Sequence, residues 1–229
     1  MSGTFAVVTG GGTSGHVIPA LAIAEGLVAR GHTADEIHYV GTVHGVEQRL
    51  VPPTGHPMTL LDVVGLQRSL SRRNLGFLPK MVRATRESKR LLGELQPKVV
   101  VNVGGYASFP ATWAAQRLGI PTVVVSYDLR PGQASKLLAR KATAVAVAFA
   151  GSTLPCAELT GAPVRQSIVD VDRVRGRAVG TRRARLARRP LRRRRQLRFA
   201  RLAGRQRGRR RRCGTPRRSR RSCRAPRRR

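Results

Sequence analysis

Residues 5–31 read FAVVTGGGTSGHVIPALAIAEGLVARG. The apolar run at the start predicts a buried β-strand over residues 5–9, and the later part predicts a helix over residues 18–30. Gly31 suits the left-handed residue that ends many helices. The turn TGGGTSGH joins the two elements. A strand, a glycine-rich turn and a helix in this order are typical of Rossmann-like α/β folds.

Short apolar runs and longer helical patterns go on alternating to about residue 148. Further strands are predicted at residues 37–40, 58–62, 99–103, 122–126 and 144–148, and further helices at 74–95, 109–118 and 134–140. Such alternation requires crossover connections, which make the strands parallel and place helices on both faces. The predicted fold class is α/β, a Rossmann-like parallel sheet flanked by helices.

The charge of the chain is concentrated near its C-terminus. The 229 residues include 45 Lys and Arg against 11 Asp and Glu, a net charge of +34. After residue 172 there are 28 Arg and no Lys, Asp or Glu. Such a segment repels itself and has too few apolar residues to form a core. We therefore expect one folded domain over residues 1–170 and a disordered, Arg-rich low-complexity tail over residues 171–229.

Cysteine usage and hydropathy exclude several classes of protein. Cys156, Cys213 and Cys223 form no CxxC pair, so neither a disulfide framework nor a cysteine zinc site is expected. No apolar run reaches the roughly 20 residues of a membrane-spanning helix, and the N-terminus lacks the basic region of a signal peptide. These features predict a cytoplasmic protein.

Gly10, Gly12 and Gly15 satisfy the GxGxxG pattern, which brings backbone N–H groups close to a phosphate. A nicotinamide dinucleotide site would also need an acidic residue at the end of the second strand, and residues 39–42 read YVGT. The absence of GK[ST] excludes a P-loop. Two other interpretations remain at this point: a tight turn that binds no ligand, and a nicotinamide-dependent enzyme.

A second glycine pair occurs in GGYAS at residues 104–108, again between a predicted strand and a predicted helix. Two loops at the carboxyl ends of parallel strands border one crevice, where open α/β sheets bind ligands. A pyrophosphate fits this arrangement. Ser108 is either a ligand-binding residue or only a helix N-cap. His16 is either a helix-start residue or a general base for a hydroxyl proton.

Residues 66–83 mix five positive charges with Leu, Phe and Met and contain no acid. This composition suits the surface of an anionic membrane. It also suits a helix with an apolar side in the core and a solvated basic side. Nucleic acid is a third candidate, but aromatic residues are only 4% of the chain and no nucleic-acid-binding motif occurs in the folded part.

Five segments occur in a specific order: GGGTSGHVIPALAIAEGL at residues 10–27, GTVHGVE at 41–47, VGGYASFPATWAAQRLGIP at 103–121, SKLLARKA at 135–142 and TGAPVR at 160–165. In this order they resemble the MurG-type glycosyltransferases of family 28 in the two-domain GT-B group. That family transfers N-acetylglucosamine from UDP-GlcNAc to the undecaprenyl-linked lipid I, which makes lipid II for peptidoglycan. The resemblance covers the family's N-terminal, acceptor-binding half.

The resemblance also implies roles for individual residues. His16 matches the position of a general base, and Arg165 would face the donor diphosphate. The residues implied to bind the acceptor and its pyrophosphate are Gly11, Gly12, Thr13, Ser14, Gly15, Gly104, Gly105, Tyr106, Ser108 and Asp128. No cofactor and no catalytic metal are implied. The implied partners are UDP-GlcNAc, lipid I and the inner face of the bacterial cell membrane, on which the protein would be peripheral.

The chain departs from the family at two places. Most members carry His-Glu-Gln-Asn where this chain has Val125, Ser126, Tyr127 and Asp128. The Arg tail also stands where the family's second, UDP-GlcNAc-binding domain begins, so this chain is expected to be inactive alone. A frameshift between about residues 169 and 176 would explain the tail. The alternative is a noncatalytic α/β binding module whose Arg tail holds polyanions, including nucleic acid nonspecifically.

Overall fold

The computed structural model describes residues 3–63, 65 and 77–171. Those up to Asp170 belong to one compact unit. The strands are β1 (Ala6–Thr9), β2 (Ile37–Thr42), β3 (Met58–Leu61), β4 (Val99–Asn102), β5 (Thr122–Ser126), β6 (Ala144–Val147) and β7 (Ala157–Leu159). The helices are α1 (Ser14–Val28), α2 (Glu47–Leu50), α3 (Phe77–Leu95), α4 (Ser108–Arg117), α5 (Gln133–Ala139) and α6 (Gln166–Val169), with 3-10 turns at Ala34–Glu36 and Pro52–Thr54.

The seven strands form one parallel sheet in the order β3-β2-β1-β4-β5-β6-β7. From β1 the chain adds β2 and β3 on one side, then crosses over and adds β4 to β7 on the other side. The order therefore reverses between β1 and β4, where Thr9 lies beside Asn102. Ligands of open α/β sheets bind outside the carboxyl ends of strands at such a reversal.

Helices cover both faces of the sheet. Val7 on β1 belongs to a buried cluster with Ala84 and Leu92 of α3, and α4 packs in the same cluster. The next residue of β1, Val8, belongs to the opposite cluster with Leu21 of α1. Successive strand residues point to opposite faces, so an unbroken apolar strand serves both layers. The α/β fold class predicted from the sequence is confirmed.

Helix α1 differs most from its prediction, since it begins at Ser14 and not at residue 18. Pro19 therefore lies inside the helix, where it has no N–H to donate to the carbonyl of Gly15. That carbonyl accepts a hydrogen bond from the Tyr127 hydroxyl at 2.7 Å. A hydrogen bond from a residue 112 positions away thus replaces the helical hydrogen bond to this carbonyl. No local sequence pattern predicts such a contact.

Three short elements, α2, β7 and α6, were not predicted because each has only three or four residues. Residues 74–76 of the helix predicted at residues 74–95 lie outside the described residues. So does most of the basic stretch at residues 66–83, which the structure describes from Phe77 onward. All of the predicted Arg tail except Val171 also lies outside them.

We expect the protein to lose stability in mild acid, because burial lowers the pKa of His38 below its ordinary value. His38 lies on β2 with Nε2 2.8 Å from the Thr59 hydroxyl. Below about pH 6.5 the unfolded chain takes up a proton at residue 38, whereas buried His38 in the folded protein resists it. The free energy of unfolding therefore decreases as the pH decreases, by up to about 1.4 kcal/mol per pH unit. Urea unfolding at pH 7 and at pH 5 measures this effect. The difference in the free energy of unfolding between the two pH values should be smaller for His38→Gln than for the wild type. Equal differences would contradict the assignment to His38.

Candidate active site

The two glycine loops, which follow β1 and β4, touch each other at the point where the strand order reverses. A Cβ atom at Gly105 would collide with the carbonyl oxygen of Gly11. A Cβ atom at Gly12 would lie 2.7 Å from the ring of Tyr106. Gly12, Gly104 and Gly105 also have positive φ angles of 90°, 95° and 83°. Only glycine combines these backbone conformations with so close an approach.

A buried carboxylate determines the shape of the first loop. Both oxygens of Glu47 lie 3.2 Å from the backbone nitrogen of Gly12, which donates to them, and Oε1 also accepts from the backbone N–H of Thr42 at 2.6 Å. The Glu47 side chain is fully buried. The Gly12 N–H, predicted to face a phosphate, is therefore already bonded inside the protein. The donors left for an anion at the start of α1 are the backbone N–H groups of Ser14 and Gly15, since those of His16 and Val17 donate to the carbonyl of Thr13.

Asn102 at the end of β4 shapes the second loop. Its Oδ1 accepts from the backbone N–H of Gly104 at 2.8 Å, and its Nδ2 donates to the Thr112 hydroxyl at 2.8 Å. Ser108 is buried, and its hydroxyl donates to the carbonyl of Gly105 at 2.8 Å. Ser108 is the first residue of α4, after the N-cap Ala107. The Ser108 hydroxyl thus closes the loop on itself and does not act as the helix N-cap.

His16 lies in the first turn of α1, between the two loops. Its Nδ1 is 3.3 Å from the carbonyl oxygen of Val103 and 2.6 Å from the hydroxyl of Tyr127. A Cβ atom at Gly104 would lie only 3.0 Å from the same nitrogen. The imidazole is therefore packed against the second loop, with one nitrogen engaged by the protein.

A cavity of about 820 Å³ opens beside these groups. The polar residues that line it include His16, Ser126 and Asp128, the last of which is exposed. The apolar residues that line it include Phe77, Leu78, Met81, Phe109 and Leu137. Gly104, Gly105, Tyr106 and Ser108 also line it, whereas residues 11–15 do not. The second loop, His16 and Asp128 are thus brought to one cavity.

Arg165 lies apart from this cluster. Its Nε and Nη2 contact Oε1 of Glu25 at 2.7 and 2.5 Å. Glu25 follows His16 by nine residues on α1, a rise of about 13 Å along the helix axis. Contact with the donor diphosphate stays a prediction for Arg165.

Three residues of the site were missed as functional candidates. Glu47 lies inside the quoted GTVHGVE segment, but an acid next to a strand gives no sign that it will be buried under another loop. Tyr127 is next to Asp128, and its role depends on α1. Asn102 is the next-to-last residue of a predicted strand, which was the one available signal for it.

The described residues contain no group of three or more His, Cys, Asp or Glu side chains placed to hold a metal ion. The same residues include no helix that is long and apolar enough to cross a membrane.

Comparisons with known proteins place the chain in a family. The profile of the glycosyltransferase family 28 N-terminal domain matches residues 6–147. The UDP-N-acetylglucosamine–N-acetylmuramyl-(pentapeptide) pyrophosphoryl-undecaprenol N-acetylglucosamine transferase of Leuconostoc mesenteroides is 44% identical over 144 residues, which are 62% of this chain and 39% of that protein. The transferase of the same name from Clavibacter sepedonicus is 41% identical over 171 residues, which are 74% of this chain and 46% of that protein.

Among solved structures, a crystal structure of Acinetobacter baumannii MurG superimposes with a TM-score of 0.61 at 28% identity. The match covers 71% of this chain and 47% of that one. This chain therefore spans less than half the length of the relatives that it matches. The profile match extends from β1 to β6 and includes both glycine loops, so the chain belongs to the glycosyltransferase family 28 N-terminal domain family.

Proposed function

We propose that this chain is the acceptor-binding half of a transferase that moves N-acetylglucosamine from UDP-GlcNAc to lipid I and so forms lipid II. The names of the relatives support this, since they give that sugar donor and a pyrophosphoryl-undecaprenol acceptor. The observation that carries the proposal is the contact between the two glycine loops with His16 between them. The cavity is lined both by the second glycine loop and by apolar side chains such as Leu78 and Leu137, as a lipid-linked pyrophosphate requires.

His16 is the general base in the proposed reaction. The acceptor hydroxyl attacks the anomeric carbon of the donor sugar, its proton passes to the imidazole, and UDP leaves with the electrons of the broken bond. The positive end of α1 beside His16 and the second-loop N–H groups other than that of Gly104, which donates to Asn102, stabilise the acceptor's phosphate charge. UDP-GlcNAc would be held by the second half of the enzyme, with Arg165 toward its diphosphate. On this assignment the described half positions acceptor and base and is inactive alone.

The proposal includes a peripheral position on the inner face of the cell membrane. Leu78 and Val82 of α3 are 70% and 45% exposed, and Arg83 and Arg86 on the same helix are also exposed. Exposed apolar side chains beside cations favour an anionic lipid surface. Leu78 also lines the cavity, which would let the acceptor's lipid reach the site from the membrane.

Vesicle binding tests the proposal. The full chain should sediment with vesicles that contain undecaprenyl pyrophosphate in preference to vesicles with undecaprenyl monophosphate and matched total charge. High ionic strength weakens nonspecific binding by the Arg-rich segment. Gly104→Ala should weaken the pyrophosphate preference about tenfold, since its new Cβ presses on His16 at a positive φ angle.

Gly31→Ala is the matched control, because Gly31 has a φ angle of 101° and open space around its Cβ position. Gly31→Ala should keep the preference for vesicles that contain undecaprenyl pyrophosphate. Equal binding to both kinds of vesicle by the wild type would overturn the proposal and identify a noncatalytic, polyanion-binding module.

A further inference from the structure

We propose that Tyr127 is a positioning residue that holds His16 in the tautomer with hydrogen on Nδ1, which leaves Nε2 to accept the proton of the acceptor hydroxyl. This inference rests on the proposed function, because it assigns the base of that reaction to one atom. Tyr127 lies in the segment where the chain departs from most of the family, so the role belongs to this chain's own sequence.

The first argument comes from the atoms around Nδ1. The carbonyl oxygen of Val103, 3.3 Å away, can only accept a hydrogen bond. That contact is favourable only when Nδ1 carries hydrogen. The Tyr127 hydroxyl, 2.6 Å from Nδ1, can either donate or accept, so its own partners decide its direction.

Those partners are also acceptors. The Tyr127 oxygen lies 2.7 Å from the carbonyl oxygen of Gly15 and 3.1 Å from that of Val103. The hydroxyl has one hydrogen, which goes to one of these carbonyls, and its oxygen then presents lone pairs to His16. The Tyr127 hydroxyl is the protein donor that the carbonyl of Gly15 has, because Pro19 cannot supply the usual helical N–H.

The opposite tautomer is inconsistent with the same contacts. With hydrogen on Nε2, the hydroxyl of Tyr127 would have to donate to Nδ1. The carbonyl of Gly15 would then face a hydroxyl lone pair at 2.7 Å and would lack a donor, and Val103 would face a bare ring nitrogen. The Val103 contact is partly buried, and leaving a buried acceptor unsatisfied costs about 1–3 kcal/mol, so this arrangement is disfavoured.

The hydroxyl keeps its hydrogen under all conditions in which the protein would act. Burial, and secondarily the carboxylate of Asp128, raise the pKa of Tyr127 well above its ordinary value. A phenolate therefore does not form near neutral pH. Tyr127 thus acts as a neutral link between α1 and the end of β4, and it neither exchanges the proton nor touches substrate.

Nitrogen NMR measures the proposed state directly in the full chain. At a pH where His16 is neutral, long-range proton–nitrogen spectra of ¹⁵N-labelled protein should show Nδ1 with the shift of a protonated nitrogen and Nε2 with that of a bare one. Tyr127→Phe removes one hydrogen bond and should change the tautomer ratio about fivefold toward hydrogen on Nε2. No donor, acceptor or second domain is needed, so this result is separate from the vesicle experiment.

Tyr39→Phe is the matched control. The hydroxyl of Tyr39 donates to the carbonyl of Gly10 in the same glycine loop but does not contact His16. It should leave the tautomer ratio unchanged. A wild-type spectrum with hydrogen on Nε2 would overturn the proposal. So would a folded Tyr127→Phe variant with an unchanged ratio, or an equal change in Tyr39→Phe.

Discussion

Replacing Glu47 with Ala is expected to lower the free energy of unfolding by about 3 kcal/mol. The substitution leaves the N–H groups of Gly12 and Thr42 without their acceptor and opens a hole beneath the first glycine loop. Glu47→Gln keeps the volume and one acceptor oxygen, so about half of this loss is expected. Urea unfolding monitored by circular dichroism measures both values.

Glu87→Ala is the control for this prediction, because Glu87 is an exposed acid in α3. Its effect should stay within about 0.5 kcal/mol. If Glu47→Ala were as mild as Glu87→Ala, the buried carboxylate would not be what shapes the loop. Faster hydrogen exchange of the Gly12 amide in Glu47→Ala would show that the loss is local to the site.

Gly105→Ala is expected to destabilise the protein by about 3 kcal/mol and to separate the two glycine loops. Its Cβ would collide with the carbonyl oxygen of Gly11, so the backbone of one loop has to move. The positive φ angle of 83° adds strain for any residue with a side chain. Urea unfolding gives the stability, and shifted amide signals of residues 10–16 report the movement.

Gly55→Ala is the control that measures backbone strain at a positive φ angle without a collision of the new Cβ atom. Gly55 has a similar φ angle, 75°, but nothing lies within 4 Å of its Cβ position. Gly55→Ala should therefore lower the free energy of unfolding by only about 1 kcal/mol. Equal losses for the two variants would mean that the loops do not depend on close contact at Gly105.

Much of the fold was predictable because it depends on local patterns. Six apolar runs became strands of a parallel sheet, and the four predicted helices are present, three of them with shifted ends and α3 with its predicted end at Leu95. The three-residue β7 was missed because so short a segment has no periodicity of its own. The early start of α1 was missed because Pro19 suggested a first-turn position, whereas a tertiary contact satisfies the Gly15 carbonyl.

The candidate site was predictable only in part. The second loop, His16 and Asp128 meet at one cavity, whereas residues 11–15 of the first loop do not line it. Their ligand roles stay predictions, as do the domain boundary near residue 170 and the role of Arg165. That Gly12 would bond to Glu47 was not foreseeable, since the two residues are 35 positions apart.

The sequence by itself determined the α/β fold, the two glycine turns and the family resemblance, because these depend on the order and spacing of neighbouring residues. Only the tertiary structure decided which backbone donors are used internally and which nitrogen of His16 is engaged. Glu47 and Tyr127 reach their partners across 35 and 111 positions of chain. Such contacts depend on how β1, β2, β4 and β5 lie side by side, and the directional hydrogen bonds formed there leave no local pattern in the sequence.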